Sequence, residues 1–173
     1  MDGALILIQI LNGLQLGVLL FLLAAGLTLV FGIMDFINLA HGAFYMLGAF
    51  ICATLTIWFD SFLIAVLLAV PITFVIGVVV ELGVARQLYQ ADHLEQILAT
   101  FGLILIADTL VQMIWGPQGM TFALPEVLNG QVQLLYGVEF PVYRVLIISV
   151  GLLVALALYL VGSHTRTGML IRA

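Results

Sequence analysis

ALILIQILNGLQLGVLLFLLAAGLTLVFGIM, residues 4–34, carries no charged side chain, and after Asp35 the run FINLAHGAFYMLGAFICATLTIWF, residues 36–59, carries none either. A helix crosses the hydrocarbon core of a bilayer with about 20 apolar residues, so each run is long enough to span. Three further runs read the same way: 62–80 after the Asp60-Ser61 break and closed by Glu81, 97–115 with the single charge Asp108, and 145–162. Strands of an outer-membrane barrel would alternate in polarity over about 10 residues, whereas these runs are continuous. The first run is too long for the apolar region of a signal peptide and is preceded by Asp2 rather than by a positive segment, so it reads as a retained span. The expected fold is an all-α polytopic membrane protein, one transmembrane domain over 1–173 with about five helices.

Composition agrees. Of 173 residues 65% are hydrophobic and 8% charged, and mean hydropathy is +1.32; a soluble domain carries about 25% charged residues. The four cations are all arginine against nine acids, which excludes the basic face of a nucleic-acid binder. Without lysine there is neither a phosphate-binding P-loop nor Schiff-base chemistry. The single Cys52 forbids an internal disulfide or a thiolate cluster, and the histidines at 41, 93 and 164 are too scattered for a metal site. No metal site is expected.

Three connectors are polar: 85–96 (ARQLYQADHLEQ), 116–144 with its turn formers Gly116-Pro117, Pro125, Asn129-Gly130 and Pro141, and 163–173 (SHTRTGMLIRA). Arginine favours the cytoplasmic side. Arg86, Arg166 and Arg172 therefore place 85–96 and the tail inside, and 116–144, with Glu126 and Glu139, outside. Counting back puts the N-terminus outside.

Polar groups within the spans are the candidates for function, because a polar side chain in lipid faces protein or a water-filled path. Gln9, Asn12 and Gln15 share a face of the first span, beside Gly13 and Gly17, whose GxxxG spacing suits helix packing. On the second run Asn38, His41, Tyr45, Gly48 and Cys52 step by three or four into one stripe, and Gly42 and Gly48 admit a neighbouring backbone. With Asp35, these residues mark a broken or re-entrant element near 35–48 lining a pathway, or else an ordinary cytoplasmic turn. Asp108, one turn from Gln112, is a polar tie to another helix or part of a transport path. Glu81 and Arg86 read as interface anchors, and Pro71 as a kink in the third span.

The stretch GLTLVFGIMDFINLAHGAFYMLGAF at 26–50 resembles the signature of the membrane permease subunits of branched-chain amino acid ABC transporters, through Gly26-Leu27, Asn38, Ala40-His41-Gly42 and Met46-Leu47-Gly48-Ala49. LYQADHLEQILATFGLILI at 88–106 is similar to the family's Asp-His-Leu, Gln and Thr-Phe-Gly segment. Leu124-Pro125 with Asn129-Gly130 fits its extracellular segment, and 163–173 resembles the basic stretch before its coupling segment. The resemblance implies a non-catalytic ABC importer subunit of the bacterial inner membrane that translocates branched-chain amino acids or a related small polar solute. It also implies a second related permease, two cytoplasmic ATPases that bind ATP and Mg, and an extracytoplasmic solute-binding protein. Family members are longer, so the chain is expected to be an N-terminal part. From the residues alone, an ion- or proton-coupled secondary transporter using Asp35, His41 and Asp108 is the alternative.

Overall fold

The computed structural model describes residues 2–120, 128–133 and 139–164. Its element order is α1 (Asp2–Met34), α2 (His41–Phe59), α3 (Phe62–Gly83), a 3₁₀ turn (Ala85–Leu88), α4 (His93–Trp115), the strands β1 (Gln131–Gln133) and β2 (Glu139–Pro141), and α5 (Val142–His164). Among the described residues five helices are long and apolar enough to cross a membrane. The 19 residues of α2 rise about 28 Å and the 33 of α1 about 50 Å, against a hydrocarbon core of about 30 Å. Large apolar side chains stand exposed along the helices, with Trp58 at 75%, Leu63 at 76% and Met113 at 78%. Such a surface is stable only where lipid is the solvent. Leu124-Pro125, Glu126, Arg166 and Arg172 lie outside the described residues.

The second span begins at His41 and not at residue 36. Residues 35–40 leave regular helix for identifiable reasons. Asp35 closes α1 in the left-handed region, φ 50°, and its N–H donates to the Phe31 carbonyl at 2.9 Å, a helix-ending geometry that Asp tolerates better than most residues. A tight turn follows, with the His41 N–H donating to the Asn38 carbonyl at 3.4 Å and the Ala43 N–H to the Ala40 carbonyl at 2.9 Å. Asp60 ends α2 in the same left-handed way, φ 47°. At the other end of the 85–96 connector, α4 starts earlier than the apolar run does, at His93. Pro71 lies inside α3.

The chain divides into two compact units, 30–123 and the pairing of 1–29 with 124–173. In the first, α2 packs antiparallel on α3 around Leu55, Ala65 and Ala69. α4 runs parallel to α2: Gln96 bonds Ile37 at one end, and the Trp115 indole N–H donates to Thr54 Oγ1 at 2.7 Å at the other. Trp115 also lies 5.3 Å from the Phe50 ring, centroid to centroid. Four threonines of these spans, Thr54, Thr56, Thr100 and Thr109, donate their hydroxyls to the carbonyl four residues back.

In the second unit the Arg144 guanidinium donates to Asn12 Oδ1 and, at 3.0 Å, to the Tyr143 hydroxyl, and it lies 5.9 Å from the centroid of the Phe140 ring. Seven residues on, Gly151 sits so close to Val18 that a Cβ would overlap it. Both contacts advance in the same direction along the two helices, so α1 and α5 are parallel. The two strands between them pair antiparallel, with Val132 opposite Phe140.

Candidate functional site

The polar residues singled out in the sequence separate into distinct places. His41, Tyr45 and Gly48 do share a face of α2, and that face forms one wall of a groove of about 830 Å³. Val66, Ala69, Val70, Thr73, Phe74, Gly77 and Val78 of α3 form the other wall. At Gly48 the two helices approach so closely that a Cβ would lie 3.3 Å from Thr73 Oγ1. That hydroxyl is buried and has no hydrogen-bond partner among the described residues. The groove is apolar for most of its length and polar at one end, where His41 and Tyr45 face Glu81.

Asn38 is elsewhere. It borders a second, small cavity of about 60 Å³ with Phe36, Thr100 and Leu103, and Phe44 and Glu81 line both cavities. Asp35 points away from either: its carboxylate is 78% exposed and lies 3.9 Å from the His93 imidazole, itself 54% exposed. A pair so open to solvent contributes little. A Cβ at Gly42 would meet nothing within 4 Å, and the same holds for Gly13 and Gly17. The close glycine approach of α1 with α5 is at Gly151 instead, and the amide stripe of α1 meets Arg144 through Asn12.

Asp108 and Gln112 are bonded to each other, Gln112 Nε2 donating to Asp108 Oδ2 at 2.8 Å, on an exposed face of α4. Fifteen residues separate Asp108 from His93, the neighbour of Asp35, which is about 22 Å of helix. Asp35, His41 and Asp108 are thus not brought together as a relay.

Three features escaped the sequence reading. Glu81 is not only an interface anchor, since Tyr89 donates its hydroxyl to Glu81 Oε2 at 2.5 Å. Burial first, then the bond to Glu81 and its charge, push the Tyr89 hydroxyl up to about 12. Phe36, 2% exposed, packs edge-on against the Tyr89 ring at 5.5 Å. Gln96 and Thr100, 2% and 1% exposed, are buried against the 35–40 break. Both lie in the 88–106 segment that carries the family resemblance, but their spacing of four at the start of an apolar run is a common pattern and gave them no role.

An all-helical membrane protein with an apolar groove closed by polar groups at one end is the architecture these residues define. Residues 9–173 match the family described as branched-chain amino acid transport system / permease component, and the chain belongs to that family. It is 31% identical to the high-affinity branched-chain amino acid transport system permease protein BraD of Pseudomonas aeruginosa, over 95% of this chain and 57% of the relative. It is 28% identical to the corresponding permease protein LivH of Escherichia coli K12, with the same coverage. To LivH of Salmonella typhimurium it is 30% identical over 71% of this chain and 42% of the relative. The chain thus spans 57% of the length of the first two relatives. No solved structure matches it.

Proposed function

We propose that the chain is part of a permease subunit of an ABC importer of the bacterial inner membrane, moving branched-chain amino acids or a related small polar solute. Family membership supports the permease role, and the α2–α3 groove is the observation that carries the solute class. A branched-chain amino acid has an ammonium and a carboxylate at one end and a compact apolar side chain at the other. The groove has the matching division: His41, Tyr45 and Glu81 at its polar end, and the Val66, Val70 and Val78 side of α3 along the rest. Glu81 can accept from an ammonium, while the His41 imidazole and the Tyr45 hydroxyl can donate to a carboxylate.

In this reading the chain is not catalytic. ATP and Mg are bound by two partner ATPases, a second related permease completes the path, and a solute-binding protein delivers from outside. Residues 35–40 and 85–96 face the cytoplasm. The test uses the full-length protein assembled with its partners, measuring assembly, ATPase activity and leucine uptake for Asn38→Ala and His41→Ala. Normal assembly with most uptake lost in His41→Ala is the expected result. Unchanged uptake in both variants overturns the path assignment, and failed assembly in both returns these residues to packing.

A further inference from the structure

Gln96 lies in the first turn of α4, yet it is among the most buried polar side chains described. Its amide makes three hydrogen bonds. The oxygen accepts from the Ile37 N–H at 3.0 Å, and the nitrogen donates to the carbonyls of Leu88 and Ala91, each at 3.2 Å. The three partners belong to three backbone segments: the break between α1 and α2, the end of the 3₁₀ turn, and the turn before α4. Thr100, one helical turn on, adds a hydroxyl 2.7 Å from the Gln96 carbonyl and 3.5 Å from that of Ile37. Phe36, beside Ile37, is held by the Tyr89 ring of the same connector. At Ile37 the irregular backbone of the break thus finds its partners in Gln96 and Thr100 of α4, and satisfaction by protein is the condition for such backbone to persist near a membrane.

The break leads directly into the groove wall. Ile37 is four residues before His41, with only the Asn38–His41 turn between them, and Tyr45 and Gly48 continue the same face. We propose that Gln96 is a positioning residue for transport: its amide ties the break to the 85–92 connector, so that connector and groove face of α2 move as one piece. This rests on the permease reading above. Glutamine suits the task because one neutral group supplies an acceptor and two donors at the end of a flexible stem.

The test uses the full-length chain assembled with its partners and reconstituted in proteoliposomes. Gln96→Met keeps the length of the side chain and removes all three bonds. Two quantities are read: hydrogen exchange of the 36–40 backbone, and leucine uptake per ATP hydrolysed. The second is a ratio, so a role confined to folding would lower the number of complexes and leave it unchanged. Exchange at 36–40 is expected to accelerate by about tenfold or more, as loss of a buried hydrogen bond implies, while α2 beyond Gly48 stays protected. Uptake per ATP is expected to fall by roughly the same factor. If Gln96→Met does not assemble, Thr100→Val, which removes only the hydroxyl, is read in the same two ways with smaller shifts. Unchanged exchange overturns the tie, and accelerated exchange with an unchanged ratio overturns its role in transport. A wild-type complex that takes up no leucine sinks the permease reading itself, an outcome distinct from both.

Discussion

Two glutamines on one helix have opposite fates. Gln96 is buried at the polar end of α4 and makes three bonds, each to the backbone of another segment. Gln112 stands exposed further along the same helix and makes one, to Asp108 on its own face. The first pair of turns is finished within this chain. The second carries a carboxylate and an amide on an outer surface where lipid offers no partner, and Asp at a helix centre costs about 2.5–3.5 kcal/mol on insertion scales. A buried amide bonded to backbone is architecture, whereas an exposed pair of polar side chains in a span is an unfinished surface.

The largest expected effect breaks this contrast directly. Gln96→Leu leaves the Ile37 N–H and the Ala91 carbonyl without their partner, while the Leu88 carbonyl keeps the Ala91 N–H. At about 1–3 kcal/mol for each group left unsatisfied, and with both groups only part-buried, the variant should lose about 2 kcal/mol of stability or more. Gln112→Leu should lose less than about 1 kcal/mol. Thermal unfolding of the two purified variants in detergent compares them, and equal losses would remove the distinction.

Asp108 sharpens it. If the exposed pair ties to a helix outside its unit, Asp108→Asn keeps much of the hydrogen bonding and Asp108→Leu loses it, worth about 1–2 kcal/mol. Assembly with the partner subunits should be near normal for Asn and clearly reduced for Leu. Equal assembly of both would show that the carboxylate has no structural partner.

How much of this was legible follows from the same contrast. The spans could be read because five long apolar runs admit no other fold, and Asp108 because one charge in such a run is conspicuous. The stripe of His41, Tyr45 and Gly48 was visible from helical spacing, and the structure places all three on one groove. Spacing could not exclude Asp35 and Asn38 from that groove, because helical periodicity stops at Met34 and resumes at His41. Nor could it show Gln96 bonding Ile37, a contact between residues 59 apart in sequence. GxxxG drew attention to Gly13 and Gly17, although the close approach of α1 is to Gly151. A glycine pair shows where a helix can be approached, and only the partner's surface decides where it is.

A smaller effect concerns the connector. Tyr89→Phe keeps the edge contact with Phe36 and loses the hydroxyl bond to Glu81, at a cost of about 1–2 kcal/mol. Because the Tyr89 hydroxyl is raised in the folded state from 10.0 to about 12, its contribution is complete below pH 10 and is lost as pH rises toward 12. Ultraviolet titration of phenolate absorbance, wild type minus Tyr89→Phe, should show one late tyrosine. A residue titrating near 10 in that difference would mean that Tyr89 is neither buried nor bonded to Glu81.

The smallest effects come from two glycines six positions apart on α2, and their signs should differ. A Cβ at Gly42 meets nothing within 4 Å, and at Gly48 it meets Thr73 Oγ1 at 3.3 Å. Within a helix, alanine is favoured over glycine by about 1 kcal/mol, so Gly42→Ala should stabilise by a few tenths of a kcal/mol up to about that amount. At Gly48 the same gain is opposed by a contact tighter than ordinary van der Waals distance, and α3 must yield by a few tenths of an ångström. Gly48→Ala should therefore be neutral to destabilising by about 1 kcal/mol, and it narrows the groove beside Thr73. Melting temperatures of the two variants test the packing, and leucine uptake by the assembled protein tests the path. Gly48→Ala lowering uptake while Gly42→Ala leaves it unchanged would place the path along the groove. Both variants transporting like the wild type would leave Gly48 as a packing residue and move the path off this face of α2.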